Sequence, residues 1–193
     1  TVGVTFTDPD DPRPLPLIQI DPPTISMNFI PNDSPFAGKD GKFVTSRHLD
    51  ERLQRETLAD VALQVEPLAV GAGYRVSGRG ELHLSILIEK MRREGYEFQV
   101  TRPHVIMQEK DGQTLEPYEE LTVDVDEKYQ GVVIEKLGKL KGVLLDMQME
   151  NGMSRLKFKV PTRGLLGYRS QFMTDTRGMG VMNYIFAEWG PYA

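Results

Sequence analysis

Alternating apolar and polar residues, interrupted by turn signals, predict the same order of elements twice along this chain. From Thr24 to Ile30 the pattern is that of a half-buried strand, and helix, strand, strand, helix and strand patterns follow up to Val100. A second series in this order starts at Leu121 and ends at Phe186. Two βαββαβ units predict an α+β fold of two tandem ferredoxin-like sandwiches, each an antiparallel sheet with helices on one face.

The most regular stretch, from Ser77 to Gly95, predicts the end of a strand, a glycine turn and a helix. Its apolar positions have the i, i+3, i+4, i+7 spacing of a core-facing stripe: Leu84, Leu87, Ile88 and Met91. Gly78 and Gly80 are expected to take backbone angles that are closed to other residues, as a sharp turn requires. Gly95 is expected to end the helix.

The first helix of the chain is expected to begin near Thr45 or Ser46, because either hydroxyl can cap it. Its buried side is predicted to carry three leucines: Leu49, Leu53 and Leu58. Glu51 and Arg55 have the i,i+4 spacing of an exposed ion pair.

In the second series, Asn151-Gly152 lies between two strand patterns and is a strong hairpin signal. A helix is predicted from Leu165 to about Thr174, with Leu165, Tyr168 and Phe172 on one face.

Composition narrows the class of protein. The 193 residues allow one or two domains, and no apolar run approaches the roughly 20 residues that span a bilayer. The absence of cysteine excludes disulfides, thiolate nucleophiles and cysteine-ligated zinc. The formal net charge is −5 and the pI is about 5.3. Since phosphate contacts dominate non-specific nucleic-acid binding, any RNA contact must come from local basic groups on an acidic body.

Residue spacing argues against catalysis. A phosphate-binding loop needs G-x-x-x-x-G-K-[ST], whereas the stretch from Gly38 to Phe43 has the wrong spacing and lacks the final hydroxyl. His48, His83 and His104 are scattered, without metal-ligand spacing. Asp124 and Asp126 alternate on one strand face and are expected to be solvated. We therefore expect no catalytic, cofactor or metal site within this chain.

Long motifs connect the chain to a known family. SGRGELHLSILIEKMRREG, residues 77 to 95, resembles the third domain of the ribosome-binding translational GTPases, which include elongation factor G. Only Thr101 to Glu120 separates the two units, too few residues for the fourth domain of elongation factor G. VPTRGLLGYRSQFMTDTRGMG, residues 160 to 180, is similar to the TypA/BipA pattern, and residues 25 to 53 support this. The chain is thereby identified as a member of the TypA/BipA family.

The resemblance implies a domain plan: residues 1–23 as the end of a barrel domain with a proline-rich linker, 24–107 as a domain like the third of elongation factor G, and 108–193 as one like its fifth. It also implies a fragment whose GTPase and C-terminal domains are missing, so that GTP and Mg belong to the full-length parent. The implied partners are the ribosome, through rRNA and ribosomal proteins, and the missing domains of the same chain, with no membrane and no DNA. The implied setting is cytoplasmic ribosome biogenesis, translation and stress response.

The fragment's expected role is to dock on the ribosome and couple domains, without catalysis of its own. The candidate rRNA contacts are Lys39, Lys42, Arg47, Arg92, Arg93, Lys136, Lys139, Lys141, Arg163, Arg169 and Arg177. Two alternatives remain open at this point: a fragment of a LepA-type translation factor, and a tandem ferredoxin-like sensor of small molecules.

Overall fold

The structure is a computed structural model that describes residues 5–16 and 20–193. Residues 5–16 contain no helix or strand and bend at residues 9–11. The predicted end of a barrel domain falls partly on residues 1–4 and 17–19, which lie outside the described residues. The chain divides into two compact units, with the boundary between Pro103 and His104. No helix in the described ranges has the length and apolar character needed to cross a membrane.

The elements of the first unit, in chain order, are β1 (Ile25–Pro31), α1 (Ser46–Ala59), β2 (Gln64–Pro67), β3 (Tyr74–Gly78), α2 (Glu81–Arg93) and β4 (Phe98–Val100). Those that follow are β5 (His104–Val105), β6 (Gln108–Lys110), β7 (Gln113–Asp126), α3 (Glu127–Lys139), β8 (Val143–Glu150), β9 (Met153–Pro161), α4 (Thr162–Leu165), α5 (Tyr168–Asp175) and β10 (Val181–Pro191).

Both units have the strand order of a ferredoxin-like sandwich. The first sheet runs β2-β3-β1-β4 and the second β10-β7-β9-β8, with antiparallel pairing between these neighbours. In each sheet the first and third strands of the series form the central pair, as the βαββαβ topology requires. The predicted fold class is confirmed.

Helix α1 begins where its capping residue predicts, because the Thr45 hydroxyl accepts a hydrogen bond from the His48 amide at 3.3 Å. Its buried face differs from the prediction. Leu49 and Leu53 are buried, but Leu58 is 67% exposed and Arg52 is only 2% exposed. The leucine spacing is a poor guide at the end of the helix, where the chain turns away toward β2.

The expected ion pair on this helix also differs. Glu51 pairs with Arg47 at 2.9 Å, whereas Arg55 reaches Glu94, which follows α2, at 3.5 Å.

The glycine turn before α2 is closely packed. Neither Gly78 nor Gly80 has a φ in the left-handed region that favours glycine, and Gly80 is extended at φ 170°, which any residue adopts. The expectation of special backbone angles was therefore wrong. A Cβ on Gly78 would come within 2.9 Å of both the His83 ring and the Leu84 side chain, so a larger residue would require these side chains to move. Gly95, at φ 91°, ends the helix as predicted.

In the second unit the hairpin signal is confirmed, since Asn151 and Gly152 both have positive φ and connect β8 to β9. The helix predicted from residue 165 to 174 is split into α4 and α5, because Gly167 takes φ 74°. Strand β7 extends back to Gln113 and pairs with β6, which the sequence pattern did not predict.

The core of the second unit is one apolar cluster between the sheet and helices α3, α4 and α5. Its buried members are Leu121, Val123, Val125, Val133, Leu137, Leu156, Phe158, Val160, Leu165, Tyr168, Phe172 and Met182. The buried apolar residues of the first unit include Ile25, Phe29, Leu49, Leu53, Val76, Leu84, Leu87 and Met91. Each core lies between one sheet face and its helices, and the polar residues that alternate with core positions face the other side of the sheet.

Candidate functional site

The eleven predicted contact residues fall into two sets according to their ion pairs. Six are paired with carboxylates at 2.5–2.9 Å: Arg47 with Glu51, Arg92 and Arg93 with Glu89, Lys136 with Asp175, Lys139 with Glu135, and Arg163 with Glu116. The other five form no ion pair within the described part of the chain: Lys39, Lys42, Lys141, Arg169 and Arg177. The second set has charge available for an anionic partner.

Arg163 forms its main contacts within the protein. Its guanidinium donates to both carboxylate oxygens of Glu116, at 2.7 and 3.2 Å, and Glu116 is fully buried on β7. Arg163 also donates to the Ala193 carbonyl at 2.5 Å and lies 4.7 Å from the centre of the Tyr192 ring. The hydrogen bond to Glu116, opposed by burial, raises the pKa of Arg163. This side chain compensates a buried carboxylate, which limits its freedom to meet a partner.

Helix α3 separates the cations of the second unit. Lys141 follows its C-terminal end with φ 67°. Arg177, in the turn after α5, is close enough to Lys128 at the N-terminal end of α3 to oppose its charge. A helix of this length spans about 20 Å, so Lys141 and Arg177 do not form one compact patch. Lys136, between these ends, bonds Asp175 at 2.7 Å and thereby joins α3 to α5.

In the first unit the fold brings Lys42 to the end of α2. The amides of Lys42 and Phe43 both donate to the carbonyl of Gly95, at 2.9 and 3.1 Å. Gly95 directly follows the turn that carries Arg92 and Arg93, so cations from two distant segments of the chain lie in one neighbourhood.

The loop from Asn32 to Lys42, which we call the β1–α1 loop, is organised by the carboxylate that immediately precedes β4. Glu97 accepts hydrogen bonds from the backbone amides of Gly38, Asp40 and Gly41 at 2.9–3.1 Å and from the Asn32 side chain at 2.5 Å. Burial alone would raise the pKa of Glu97, but these hydrogen bonds outweigh it and the pKa is lowered. The glycine-rich stretch rejected as a phosphate loop therefore does cradle an anion, and that anion is the protein's own carboxylate.

A buried arginine that sequence reasoning missed joins the two helices of the first unit. Arg52 donates to both oxygens of Glu94 at the end of α2, at 2.5 and 2.8 Å, and to Glu56 at 2.6 Å. Lys90 adds a bond to Glu56 at 3.0 Å. The hydrogen bond to Glu94, opposed by burial and reinforced by Glu56, raises the pKa of Arg52. The only signal in the sequence is the i,i+4 pair of Arg52 and Glu56, which is typical of a solvated helix face.

Both ring nitrogens of His83 are hydrogen-bonded within the protein. Its Nδ1 accepts the Arg79 amide at 3.2 Å, so Nε2 carries the proton and donates to Asp60 at 2.6 Å. Burial would raise the pKa of Asp60, but the bonds from His83 and the Ala62 amide outweigh it and lower the pKa. The described residues contain no group of three or more His, Asp or Glu side chains placed to hold a metal ion.

Comparison with known proteins places these features in context. A family model described as the elongation factor G C-terminus matches residues 113–193. The chain is 54% identical to the large ribosomal subunit assembly factor BipA of Synechocystis sp. strain PCC 6803, over 98% of this chain and 32% of that protein. It is 51% identical to the protein of the same name in Bacillus subtilis strain 168, over 98% of this chain and 31% of that one. The Escherichia coli strain K12 relative is 50% identical over 97% of this chain and 31% of its own length.

A crystal structure of a protein from Thermus thermophilus has a TM-score of 0.55 and 15% identity, covering 96% of this chain and 43% of that one. At this identity the likeness supports the fold. The chain spans about a third of the length of the curated relatives that it matches.

Proposed function

Because this chain belongs to the BipA family, we propose that it is the ribosome-docking and interdomain-coupling portion of a GTP-dependent factor for assembly of the large ribosomal subunit. The observation that carries the proposal is the identity of 50–54% with assembly factors over 97–98% of the chain. Its setting would be the cytoplasm, on ribosomal particles. GTP and Mg would be bound by segments of the longer relatives that this chain does not match, and this portion would act without catalysis.

The docking contacts are best sought among the unpaired cations. A cation that already has a carboxylate at hydrogen-bond distance gains less from a phosphate, since the existing pair must be broken first. The five unpaired cations are therefore stronger candidates than the paired members of the predicted set: Lys39, Lys42, Lys141, Arg169 and Arg177. Arg163 stands apart, because its replacement would leave the carboxylate of Glu116 buried without a counter-charge.

Co-sedimentation of the chain with purified large ribosomal subunits, measured across a salt series, tests the proposal. One variant changes four unpaired cations to glutamine: Lys42, Lys141, Arg169 and Arg177. A matched variant changes four paired cations to glutamine: Arg47, Arg92, Arg93 and Lys139. Both variants lose the same number of positive charges, so their net charge is the same.

We expect the first variant to bind more weakly than the second. The slope of log affinity against log salt should fall by about one for each phosphate that the variant no longer contacts. Equal weakening of both variants would mean that only net charge matters. Failure of the unaltered chain to sediment at low salt would overturn its docking role.

The comparisons also decide between the alternatives for the family. The three relatives described above share 50–54% of their aligned residues with this chain and are BipA proteins, which confirms this family over the LepA type. The small-molecule sensor is no longer needed to explain the two ferredoxin-like units, because the family accounts for both of them and for the motifs at residues 77 to 95 and 160 to 180.

A further inference from the structure

The β1–α1 loop presents an aromatic ring that the fold does not use. Phe36 is 64% exposed, while Phe29, on the preceding strand, is fully buried. Within the described residues Phe36 has no aromatic neighbour, and its ring is contacted by the Lys39 ammonium, 4.5 Å from the ring centre. An exposed phenylalanine forgoes the free energy of burial, and on a loop fixed by hydrogen bonds its ring is available to a partner.

The loop that carries this ring is tightly constrained. Besides the bonds to Glu97, the Ala37 amide donates to the Ser34 carbonyl at 3.0 Å and the Lys39 amide to the Phe36 carbonyl at 3.2 Å. Gly41 is packed so closely that a Cβ would lie 2.7 Å from the Gly95 carbonyl oxygen. A ring on a preformed loop binds with little loss of conformational entropy.

The charges of the loop balance, two lysines against two aspartates, so the preference for an anionic partner with flat, stackable groups rests on the lysine that contacts the ring. Lys39 covers one face of Phe36, and Lys42 lies a few positions further on, both without ion pairs in the part of the chain that the structure describes. The loop also has two acids. Asp33 accepts a hydrogen bond from Gln99 at 3.3 Å, and Asp40 is exposed. An exposed aromatic ring beside an unpaired lysine is an arrangement with which proteins stack an unpaired base and contact its phosphate.

We propose that Phe36 stacks on an unpaired RNA base, with Lys39 and Lys42 contacting the adjoining phosphates. The inference rests on the proposed binding to ribosomal particles and names the class of group that this loop recognises. An apolar pocket on a protein partner is the competing occupant. Lys39, an unpaired cation against the ring, favours RNA.

Shape distinguishes these occupants. Phe36→Trp enlarges the flat ring, Phe36→Leu keeps an apolar side chain without a π-face, and Phe36→Ala removes both. If Phe36 stacks on a base, the affinity for ribosomal subunits should stay level or rise with Trp and fall about tenfold or more with both Leu and Ala. If Leu binds like Phe and only Ala is weakened, the ring occupies a protein pocket and the proposal fails. Unchanged binding by Ala also overturns it.

A second measurement needs no ribosome. The Phe36→Trp variant is titrated at low salt with a single-stranded RNA 12-mer and with a duplex of equal length, and the protein with only Trp189 serves as the background. Quenching of the new tryptophan by the single strand and not by the duplex is expected. No quenching, in a chain that still sediments with subunits, would overturn the stacking contact and leave docking intact. Quenching without sedimentation would support stacking and overturn docking.

Replacement of Asp40, an exposed acid of the β1–α1 loop, should change RNA binding in the opposite direction and strengthen it. Asp40→Asn removes a negative charge beside Lys39 and keeps the backbone amide that bonds Glu97. Tighter binding of single-stranded RNA, by about two- to fivefold at low salt, is expected because the repulsion from this carboxylate is removed. Weaker binding would contradict a phosphate contact at this position.

Discussion

The two units share a strand order but attach their helices differently. In the first, Arg52 is buried between α1 and α2 and holds Glu94 and Glu56 by three hydrogen bonds. In the second, Lys136 of the α3–α5 ion pair is less buried than Arg52, and α3, α4 and α5 pack on the sheet through a continuous apolar cluster. Gly164 is a point of close approach in that packing, because a Cβ there would lie 2.8 Å from the Leu140 carbonyl oxygen.

This difference shows that one topology accepts two kinds of helix contact with different sensitivities. A buried ion pair contributes little net stability over an apolar contact of the same volume, but removing one partner leaves the other as an uncompensated buried charge. An apolar contact with a glycine at a point of close approach fails when volume is added. Of these two contacts, the one in the first unit should therefore be sensitive to loss of the Arg52 charge, and the one in the second to gain of a methyl group at Gly164.

Replacing Arg52 by alanine should give the largest effect. It leaves Glu94 and Glu56 without their main counter-charge, and Glu94 is one-third exposed, so water compensates in part. We expect a decrease of about 2–4 kcal/mol in the free energy of unfolding of the first unit. Urea unfolding followed by far-UV circular dichroism measures it.

Two controls accompany this change. Trp189, the single tryptophan, lies on β10 and reports on the second unit, so its fluorescence transition should move less than the dichroism transition. Arg52→Lys keeps a charge but cannot bond both oxygens of Glu94, and its stability should fall between those of the alanine variant and the unaltered chain. An alanine variant as stable as the unaltered chain would show that the network is dispensable.

Adding a methyl group at Gly164 should affect the second unit. The neighbouring atom is a backbone oxygen, which cannot rotate away, so α4 must shift from the end of α3. Gly164→Ala should lower the stability followed by Trp189 fluorescence by about 1–3 kcal/mol. Gly131, within α3, is the matched position because a Cβ there has no neighbour within 4 Å. Gly131→Ala should raise stability by about 0.5–1 kcal/mol. The same sign for both would contradict the packing argument.

The sequence predicted the sheets better than the contacts that join helices to each other. Strand alternation and the Asn-Gly turn depend on neighbouring residues, so the βαββαβ order could be predicted locally. The burial of Arg52 depends on Glu94, 42 residues away, and an arginine paired with Glu56 one turn later resembles an exposed pair. Glu116 lies on a strand where alternation predicts outward polar residues, yet it is fully buried against Arg163.

The same limit applies to the candidate site. All eleven cations could be named from the sequence, but the carboxylates that pair with six of them come partly from distant elements, such as Glu116 for Arg163. Sequence reasoning does not single out Phe36, because loop aromatics carry no periodicity and their exposure is decided by tertiary structure.

Asp60 offers a smaller test of the first unit, where the end of α1 meets the start of α2. Its carboxylate accepts from His83 Nε2 and from the Ala62 amide. In Asp60→Asn one carboxylate oxygen is replaced by an NH₂ donor. If this NH₂ group faces His83, two donors oppose each other, because His83 Nδ1 accepts from the Arg79 amide and Nε2 therefore carries a proton. Turning it the other way opposes the Ala62 amide instead. We expect a decrease of about 1–2 kcal/mol in the free energy of unfolding, measured with urea. His83→Asn, which removes the ring but keeps a polar side chain, should not add to this decrease if the two residues act as one pair.

The smallest expected effect is a pH dependence that distinguishes the β1–α1 loop of the first unit from the β8–β9 hairpin of the second. Glu97 has a lowered pKa in the folded protein, so the stability that it gives the β1–α1 loop is complete above its ordinary value of 4.5. That stability is lost as the pH falls through the lower folded value, because protonation weakens the acceptor of the Gly38, Asp40 and Gly41 amides.

Amide hydrogen exchange, corrected for the intrinsic pH dependence, should show constant protection of these three amides between pH 7 and about 5 and a decline toward pH 3. Glu97→Gln should abolish this pH dependence, since no carboxylate remains to titrate. The strand amides of β8 and β9 beside the Asn151-Gly152 hairpin bond backbone carbonyls across the ladder and should keep their protection over the same range. Parallel loss of protection in both regions would indicate global acid unfolding and would remove Glu97 as the specific support of the loop.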